Sequence, residues 1–440
     1  MRVCFLTRFF PPKIRGGGEI SAYHTARKLS EYDVYIHVVT TKIRILQKTW
    51  ENHFAREKLS IHRILSNNTS KNLLLNEMGY NLVFSIKNVV HLVSFIKKNA
   101  IDLIHIYNMD MLFEGMIAGK IMNIPVIISA NSNWSTCFHG NHILPPFTVR
   151  NLCYKCNFQN LSKCVMFLYF PSSFPNFVKY FLTPIFLFKI AIRRRLMRLT
   201  DKIIAVSNCV KRILTKNGFP KEKIHVIHNF FNSKSYQNIN KEIFKQLIPS
   251  FPQKKSIIFV GRLKIEKGIE LFIKAAQFLV KKGTDANFVV IGSGPLFERL
   301  QSVVQTSKLN NNIFFTGNLP YKLMPSIYAA ADIIVAPVIR EEALSRVLYE
   351  SMAASSPVIA TKVCGNADVV IDGVNGLLVR PTVSELSKAI LTLLNDVSLR
   401  KEMGRRGLHT VSNTFSERII IPKIVKIYSK FIGNVNNNSD

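Results

Sequence analysis

The stretch REEALSRVLYESMA, residues 340–353, belongs to a chain that has 59 Lys and Arg against only 27 Asp and Glu. Within it Glu342 and Glu350 stand eight positions apart, with Arg346 midway between them. On an exposed helix this i, i+4, i+8 spacing makes a salt ladder, each rung contributing about 0.2–0.5 kcal/mol. The flanks point elsewhere. ADIIVAPV precedes the stretch and SPVIAT follows it, both short apolar runs containing Ile and Val. Two such runs joined by a helical pattern predict a βαβ unit of a parallel sheet. Glu342 then falls in the loop after the first strand, and Glu350 inside the following helix. Loops at the carboxyl ends of parallel strands are where open α/β sheets take ligands. Leu344, Val347, Leu348 and Met352 also leave this helix little freely solvated face.

The same rhythm extends outward. SIIFV, FVVI, IFF, DIIVAPV and PVIAT are separated by helix-length segments, which predicts a doubly wound parallel sheet. In the first half VCFL, VYIHVV, DLIHIY, PVIIS, KIIAVS and IHVIHN are strand-like, with a helix near Leu112 to Met122. Residues 131–199 are irregular, apolar and Cys-bearing, and read as an insertion. Residues 232–255 are polar and carry two prolines, as a linker or domain start does. From about Ser384 to Phe431 the pattern is helical. The expected domains are therefore 1–240, with the insertion at about 131–199, then 241–415, then a C-terminal helix and tail over 416–440.

A chain of 440 residues that is 48% hydrophobic can bury two such cores. Its net charge of +32 suits nucleic acid, an anionic membrane surface or phosphorylated small molecules. A basic nucleic-acid-binding protein with degenerate enzyme domains is the rival reading. The spread of the cations, and the lack of any zinc-finger, RNP-like or helix-turn-helix pattern, count against it. No uncharged apolar run approaches the length of about 20 residues that a spanning helix needs. The opening MRVCFLTRFFPP lacks a secretory pattern, and the seven cysteines are an odd number, so a reducing, cytoplasmic setting is expected.

Cys137, Cys153, Cys156 and Cys164 cluster, and Cys153-x2-Cys156 has zinc-ligand spacing, so a structural Zn²⁺ is one reading and thiols without metal in an apolar insertion the other. In TPIFLFKIAIRRRLMRLT, residues 183–200, Thr183 reads as an N-cap and Pro184 as the first helical position. Apolar early turns and Arg193, Arg194, Arg195 and Arg198 later predict a helix lying on an anionic membrane surface. The competing reading is a core helix packed under the insertion.

Several loops carry anion-binding chemistry. In FVGRLKIEKG, Gly261 lets backbone approach closely, while Arg262 and Lys267 can reach one anionic group. In VIGSGPL, Gly292 and Gly294 are expected to open a helix N-terminus. Gly16, Gly17 and Gly18 precede Glu19 in GGGE, which permits close approach of a ligand ahead of a helix starting near Glu19 or Ile20. The chain has no Asp-x-Asp pair for a metal–diphosphate bridge. A diphosphate would therefore be neutralised by Arg262, Lys267 and helix dipoles, and no cofactor is expected for catalysis.

Taken in order, GGGE, FVGRLKIEKG, GSGP, REEALSRVLYESMAASSPVIAT and DGVNGLLVRP resemble the retaining nucleotide-sugar glycosyltransferases of family 4. The resemblance covers most of the C-terminal half and about the first 45 residues. It implies the GT-B fold, two Rossmann-like doubly wound α/β domains facing across a cleft. It also implies transfer of a sugar, with retention, from a UDP-, GDP- or ADP-linked donor to a sugar or lipid-linked acceptor such as a cell-surface glycan. A sugar-phosphate synthase or phosphorylase on the same fold is the neighbouring alternative. By the same resemblance Glu342 faces the donor sugar, Glu350 binds the ribose hydroxyls, Arg262 and Lys267 hold the diphosphate, and the GGGE loop closes over it. Asn375, Gly376 and Leu377 belong to a loop near the pocket. A lipid-linked acceptor goes with a peripheral place on the inner face of the membrane. The chain departs from the family at Ala343-Leu344-Ser345, where Gly-Phe-Gly is common, and at Cys364-Gly365, where Gly-Gly is common. Asn131 stands where many relatives have His. It can bond a sugar hydroxyl but cannot act as an acid or base. His105 is the nearest titratable alternative, and a strand-end histidine packed in the core is an equally open reading of it.

Overall fold

The structure is a computed structural model that describes residues 1–12, 17–42, 57–66, 82–131, 137, 156–169, 178–236, 239–242, 254–340 and 342–431. The chain divides into two compact units, one of Met1–His228 together with the segment from Ile420, the other Asn229–Ile419.

The first unit holds strands β1 (Arg2–Leu6), β2 (Tyr35–Thr41), β3 (Leu59–Leu65), β4 (Leu103–Ile106), β5 (Val126–Ala130), β6 (Lys202–Ala205) and β7 (Ile224–Val226). They pair in the order β3-β2-β1-β4-β5-β6-β7, all parallel. Parallel neighbours need crossover connections. The described helices that serve this unit are α1 (Gly17–Leu29), α2 (Leu82–Asn99), α3 (Leu112–Met122), α4 (Phe158–Tyr169), α5 (Val178–Leu199) and α6 (Asn208–Lys216). β4 and β5 are buried along their whole length, as strands covered on both faces must be.

The second unit holds β8 (Lys255–Val260), β9 (Ala286–Ile291), β10 (Ile313–Gly317), β11 (Ile333–Ala336), β12 (Val358–Thr361) and β13 (Leu377–Val379). Their order is β10-β9-β8-β11-β12-β13, again parallel throughout. Its helices are α7 (Ile269–Lys281), α8 (Phe297–Thr306), α9 (Met324–Ala330), α10 (Arg346–Ala353), α11 (Val383–Asn395) and α12 (Val397–Thr414), and the division between units falls within α13 (Glu417–Ser429). Phe272 of α7 packs between Phe259 of β8 and Phe288 of β9, with centroids 5.8 and 6.0 Å away. Each such buried ring contributes roughly 1.5–3 kcal/mol relative to exposure. Strand order reverses between β1 and β4 and between β8 and β11, so each sheet has its own ligand-binding switch point.

Both predicted doubly wound sheets are present. Two strands lay outside the sequence expectation: β3, whose run LSIHRIL is interrupted by His62 and Arg63, and β13, which is only three residues long. Some details of the organisation differ from expectation. β5 pairs directly with β6, and α4 and α5 lie in the crossover between them, within the span 131–199 read as an insertion. The second unit begins at Asn229 rather than 241, because Phe231 bridges to Ser416. The segment from Ile420 is not a separate element, since Tyr428 of α13 bonds His105 in the first unit. Finally, α5 starts at Val178, which places Thr183 and Pro184 inside the helix, with Thr183 fully buried rather than capping.

Candidate functional site

β8 and β11 lie side by side in register, Ile257 beside Ile333. The chain leaves β8 through Gly261 and Arg262, makes a 3-10 turn at Ile265–Lys267, and enters α7 at Gly268. It leaves β11 through Pro337 to Ser345 and enters α10 at Arg346. The two exits are packed on each other. Ile339 N donates to Glu266 O at 3.2 Å. Gly268 has φ of 71°, and a Cβ there would fall 1.7 Å from Pro337 O, so only glycine fits.

This packing brings Lys267 to Glu342. Its Nζ donates to Glu342 Oε1 at 2.8 Å and Oε2 at 2.7 Å, and both side chains keep partial solvent exposure. Glu342 therefore does not complete a ladder with Arg346. The helix begins only at Arg346, so Glu342 lacks the helical geometry that i, i+4 pairing requires. Gly365 N donates to Glu342 O at 2.9 Å, and a Cβ on Gly365 would fall 2.1 Å from Ala343 O. The second glycine of the family's Gly-Gly pair is thus retained where the backbone beneath Glu342 leaves no room. Arg262 is exposed and makes no side-chain ion pair or hydrogen bond among the described residues.

Glu350 makes the other half of the ladder, but buried. Arg346 Nε and Nη2 donate to Glu350 Oε1 at 3.0 and 2.5 Å. Tyr321 OH donates to the same oxygen at 2.9 Å, and Tyr328 OH reaches Oε2 at 3.4 Å. The side chain of Glu350 is 4% exposed and that of Arg346 12%. Burial first, and the charge of Glu350 second, push the phenols of Tyr236, Tyr321 and Tyr328 above the usual tyrosine range. They stay protonated, and Tyr321 and Tyr328 donate to the carboxylate. Sequence reading missed these three tyrosines, which come from separate segments with no shared motif.

Gly292 and Gly294 do not open the helix directly, because α8 begins at Phe297. Gly292 N already donates to Gly317 O at 2.8 Å. Leu263 N donates to Ser293 O at 2.9 Å and Leu296 N to Leu263 O at 3.1 Å, zipping the two loops together. A Cβ on Gly292 would fall 2.0 Å from Gly261 O. These glycines are needed for loop-on-loop packing, which also holds Gly261 and Arg262 in place. Asn375 is fully buried, its amide bonded to Val369 O and accepting from Ile371 N, a turn-forming role.

Residues 15–234 match the family described as Glycosyltransferase Family 4, and residues 240–410 match Glycosyl transferases group 1. The chain belongs to glycosyltransferase family 4. Two uncharacterized glycosyltransferases of Methanocaldococcus jannaschii are similar to it, one 27% identical over 60% of this chain, the other 33% identical over 52%. The chain spans 66% and 60% of their own lengths. A solved Anabaena protein, Alr3699/HepE in complex with UDP-glucose, shares the fold with a TM-score of 0.72, 18% identity, and coverage of 98% of this chain and all of its own. The architecture is therefore GT-B.

The family's other expected positions are placed as follows. Gly17 and Gly18 lie in the first turn of α1, two residues earlier than the expected helix start, and Gly16 lies outside the described residues. A Cβ on Gly18 would meet nothing within 4 Å. Asn131 follows β5, half-buried, and its amide donates to Tyr107 O at 3.1 Å. Of its two readings, His105 takes that of a histidine packed in the core. It is fully buried, with Nδ1 2.5 Å from Tyr428 OH and Nε2 2.7 Å from Ser129 Oγ, and burial pushes its pKa down to about 3. Cys153 lies outside the described residues. Cys137 and Cys164 are buried and Cys156 is half-buried. Cys164 sits among Leu161, Val165, Leu182, Phe186 and Ile190. Among the described residues no group of three metal-ligating side chains forms.

Proposed function

We propose that the protein transfers a sugar from a nucleotide-sugar donor to a glycan or lipid-linked acceptor, with retention of configuration. The observation that carries this is the Lys267–Glu342 pair at the β8/β11 switch point, with exposed Arg262 on the same loop as Lys267. In this reading the donor diphosphate lies against Arg262 and Lys267. Lys267 exchanges Glu342 for a phosphate oxygen, and the released carboxylate faces the sugar, where positive charge develops at the anomeric carbon. Stabilising the departing diphosphate is then the main electrostatic task, and fixed cations perform it without reorganising at the moment of reaction. Glu350 would take a ribose hydroxyl through Oε2, whose one described contact is the long bond from Tyr328. By the family resemblance, Gly16, Gly17 and Gly18 would serve donor binding, and Asn131 would contact the acceptor.

Uridine is the base supported by the structural neighbour that holds UDP-glucose. Isothermal titration with UDP, GDP and ADP, followed by turnover of the matching nucleotide sugars, tests the reading. Saturable binding of one nucleoside diphosphate, with release of that diphosphate on acceptor addition, is the expected result. The product's anomeric configuration by NMR reports retention. Failure to bind any of the three would remove the donor assignment.

A further inference from the structure

α5 has two apolar sides. One is conventional: Leu182, Phe186, Ile190 and Met197 are buried, the first three against Leu161, Cys164 and Val165 of α4. The other is bare. Ile185, Phe188, Ile192 and Leu199 are 40, 67, 37 and 59% exposed. At about 100° per residue these four and Arg195 fall within an arc of about 80°. Close by, Tyr180 is 59% exposed and stacks on Phe158 of α4, itself partly exposed. The outer face of α5 therefore reads apolar over its middle turns and cationic towards its C-terminal end, where Arg195 and Arg198 are exposed.

The charge of the surrounding chain selects the occupant. Between Glu114 and Asp201 there is no Asp or Glu at all, while Lys and Arg recur. Neither α4 nor α5 carries an acidic residue. A protein partner that covered an apolar strip would not need its surroundings cleared of carboxylates. An anionic bilayer surface would, because each carboxylate near it is repelled and each cation attracted. Exposed Phe, Ile and Leu beside cations on a helix too short of apolar length to cross are the features of an element lying in the headgroup region, and among the described residues no helix is long and apolar enough to span. We infer that the outer face of α5 docks the protein on an anionic lipid surface, with Ile185, Phe188 and Ile192 entering the acyl boundary and Arg195 contacting headgroups. This inference is independent of the donor assignment, since it concerns the first unit alone.

The test uses the full chain and vesicles of phosphatidylcholine with or without phosphatidylglycerol, at low and high salt. Co-sedimentation should require the anionic lipid and persist in part at high salt. Phe188→Ser with Ile192→Ser should weaken partitioning by about tenfold or more, the loss expected from two buried apolar side chains. An unchanged circular-dichroism melt shows that the variant is folded. Phe188→Trp should add a tryptophan signal that shifts to the blue with anionic vesicles only. Arg195→Glu should weaken binding at low salt. If the Phe188/Ile192 variant binds as the parent does, or if binding vanishes entirely at high salt, the surface is attracted by charge alone and the docking face is refuted. The same holds if the added tryptophan does not shift.

Discussion

Lys267 and Glu342 are 75 residues apart in the chain, yet the Lys267 ammonium lies within 2.8 Å of both Glu342 oxygens. The pair exists because β8 and β11 are neighbours and their exit loops are packed together by Gly268. It leaves two groups assigned to opposite ends of a donor, one for phosphate and one for sugar, satisfying each other.

Lys267→Ala and Arg262→Ala should each lower affinity for the nucleoside diphosphate by about 10- to 100-fold, the worth of a charge-assisted contact. Affinity for the bare nucleoside should be unchanged, and calorimetric titration of both ligands checks it. Lys267→Ala should also alter the effect of Glu342→Gln in a double-mutant cycle, whereas Arg262→Ala should combine with it additively. Equal losses for nucleoside and diphosphate would remove both residues from the phosphate site.

Glu342→Gln should chiefly reduce kcat, because its charge would lie beside the reacting sugar, while Glu350→Gln should chiefly raise the donor KM. Glu350→Ala adds a stability effect. It leaves the Arg346 guanidinium buried without its carboxylate, which costs about 3–5 kcal/mol when a buried pair is broken. Chemical denaturation should show that loss for Glu350→Ala and much less for Glu342→Ala, whose side chain is partly exposed.

Glycine substitutions separate ligand space from packing. Gly18→Ala meets nothing within 4 Å and should leave stability within about 0.5 kcal/mol. If the loop approaches the donor, turnover should still fall. Gly365→Ala drives a Cβ into Ala343 O and Glu342 O, so it should reduce both stability and turnover. A Gly18→Ala enzyme with parental turnover would argue that the GGGE segment stands away from the reaction.

His105 predicts acid sensitivity. Its imidazole is neutral in the fold, with its pKa held at about 3 by burial against an ordinary 6.5. Between these values the unfolded chain binds the proton and the folded chain does not. His105 therefore leaves stability intact above about pH 6.5 and erodes it as pH falls towards 3, by up to about 1.4 kcal/mol per pH unit. Denaturation midpoints across that range should fall, and His105→Gln should flatten the slope. A parental slope in the variant would assign the loss to other groups.

The four-cysteine set is checked by elemental analysis of protein purified without chelator. One equivalent of zinc, lost in a Cys153→Ser variant, is the outcome expected for a structural site. Cys137 and Cys156 both lie near enough to Arg194 to act on its charge, which burial mainly shifts. Metal content below a few tenths of an equivalent would remove the metal site.

What the amino-acid order determined by itself is local. Short β-branched runs and 3.6-residue periodicity report burial within a single element, so both sheets apart from their edge strands β3 and β13, α3 and the places of Glu342 and Glu350 were legible. So was the ordered set of family motifs, because each motif is a contiguous loop after a strand. Tertiary structure decided what depends on which strands are neighbours. The partner of Lys267, the three tyrosines around Glu350 and the loop packing behind Gly292 all join segments that carry no common local signal. His105 shows the same limit. A histidine in a strand run reads alike whether it faces a ligand or a core, and only the arrival of Tyr428, 323 residues later, places it inside. On α5 the sequence displayed a gradient from apolar to cationic, but α4 had to cover one side before the bare one could be told from it.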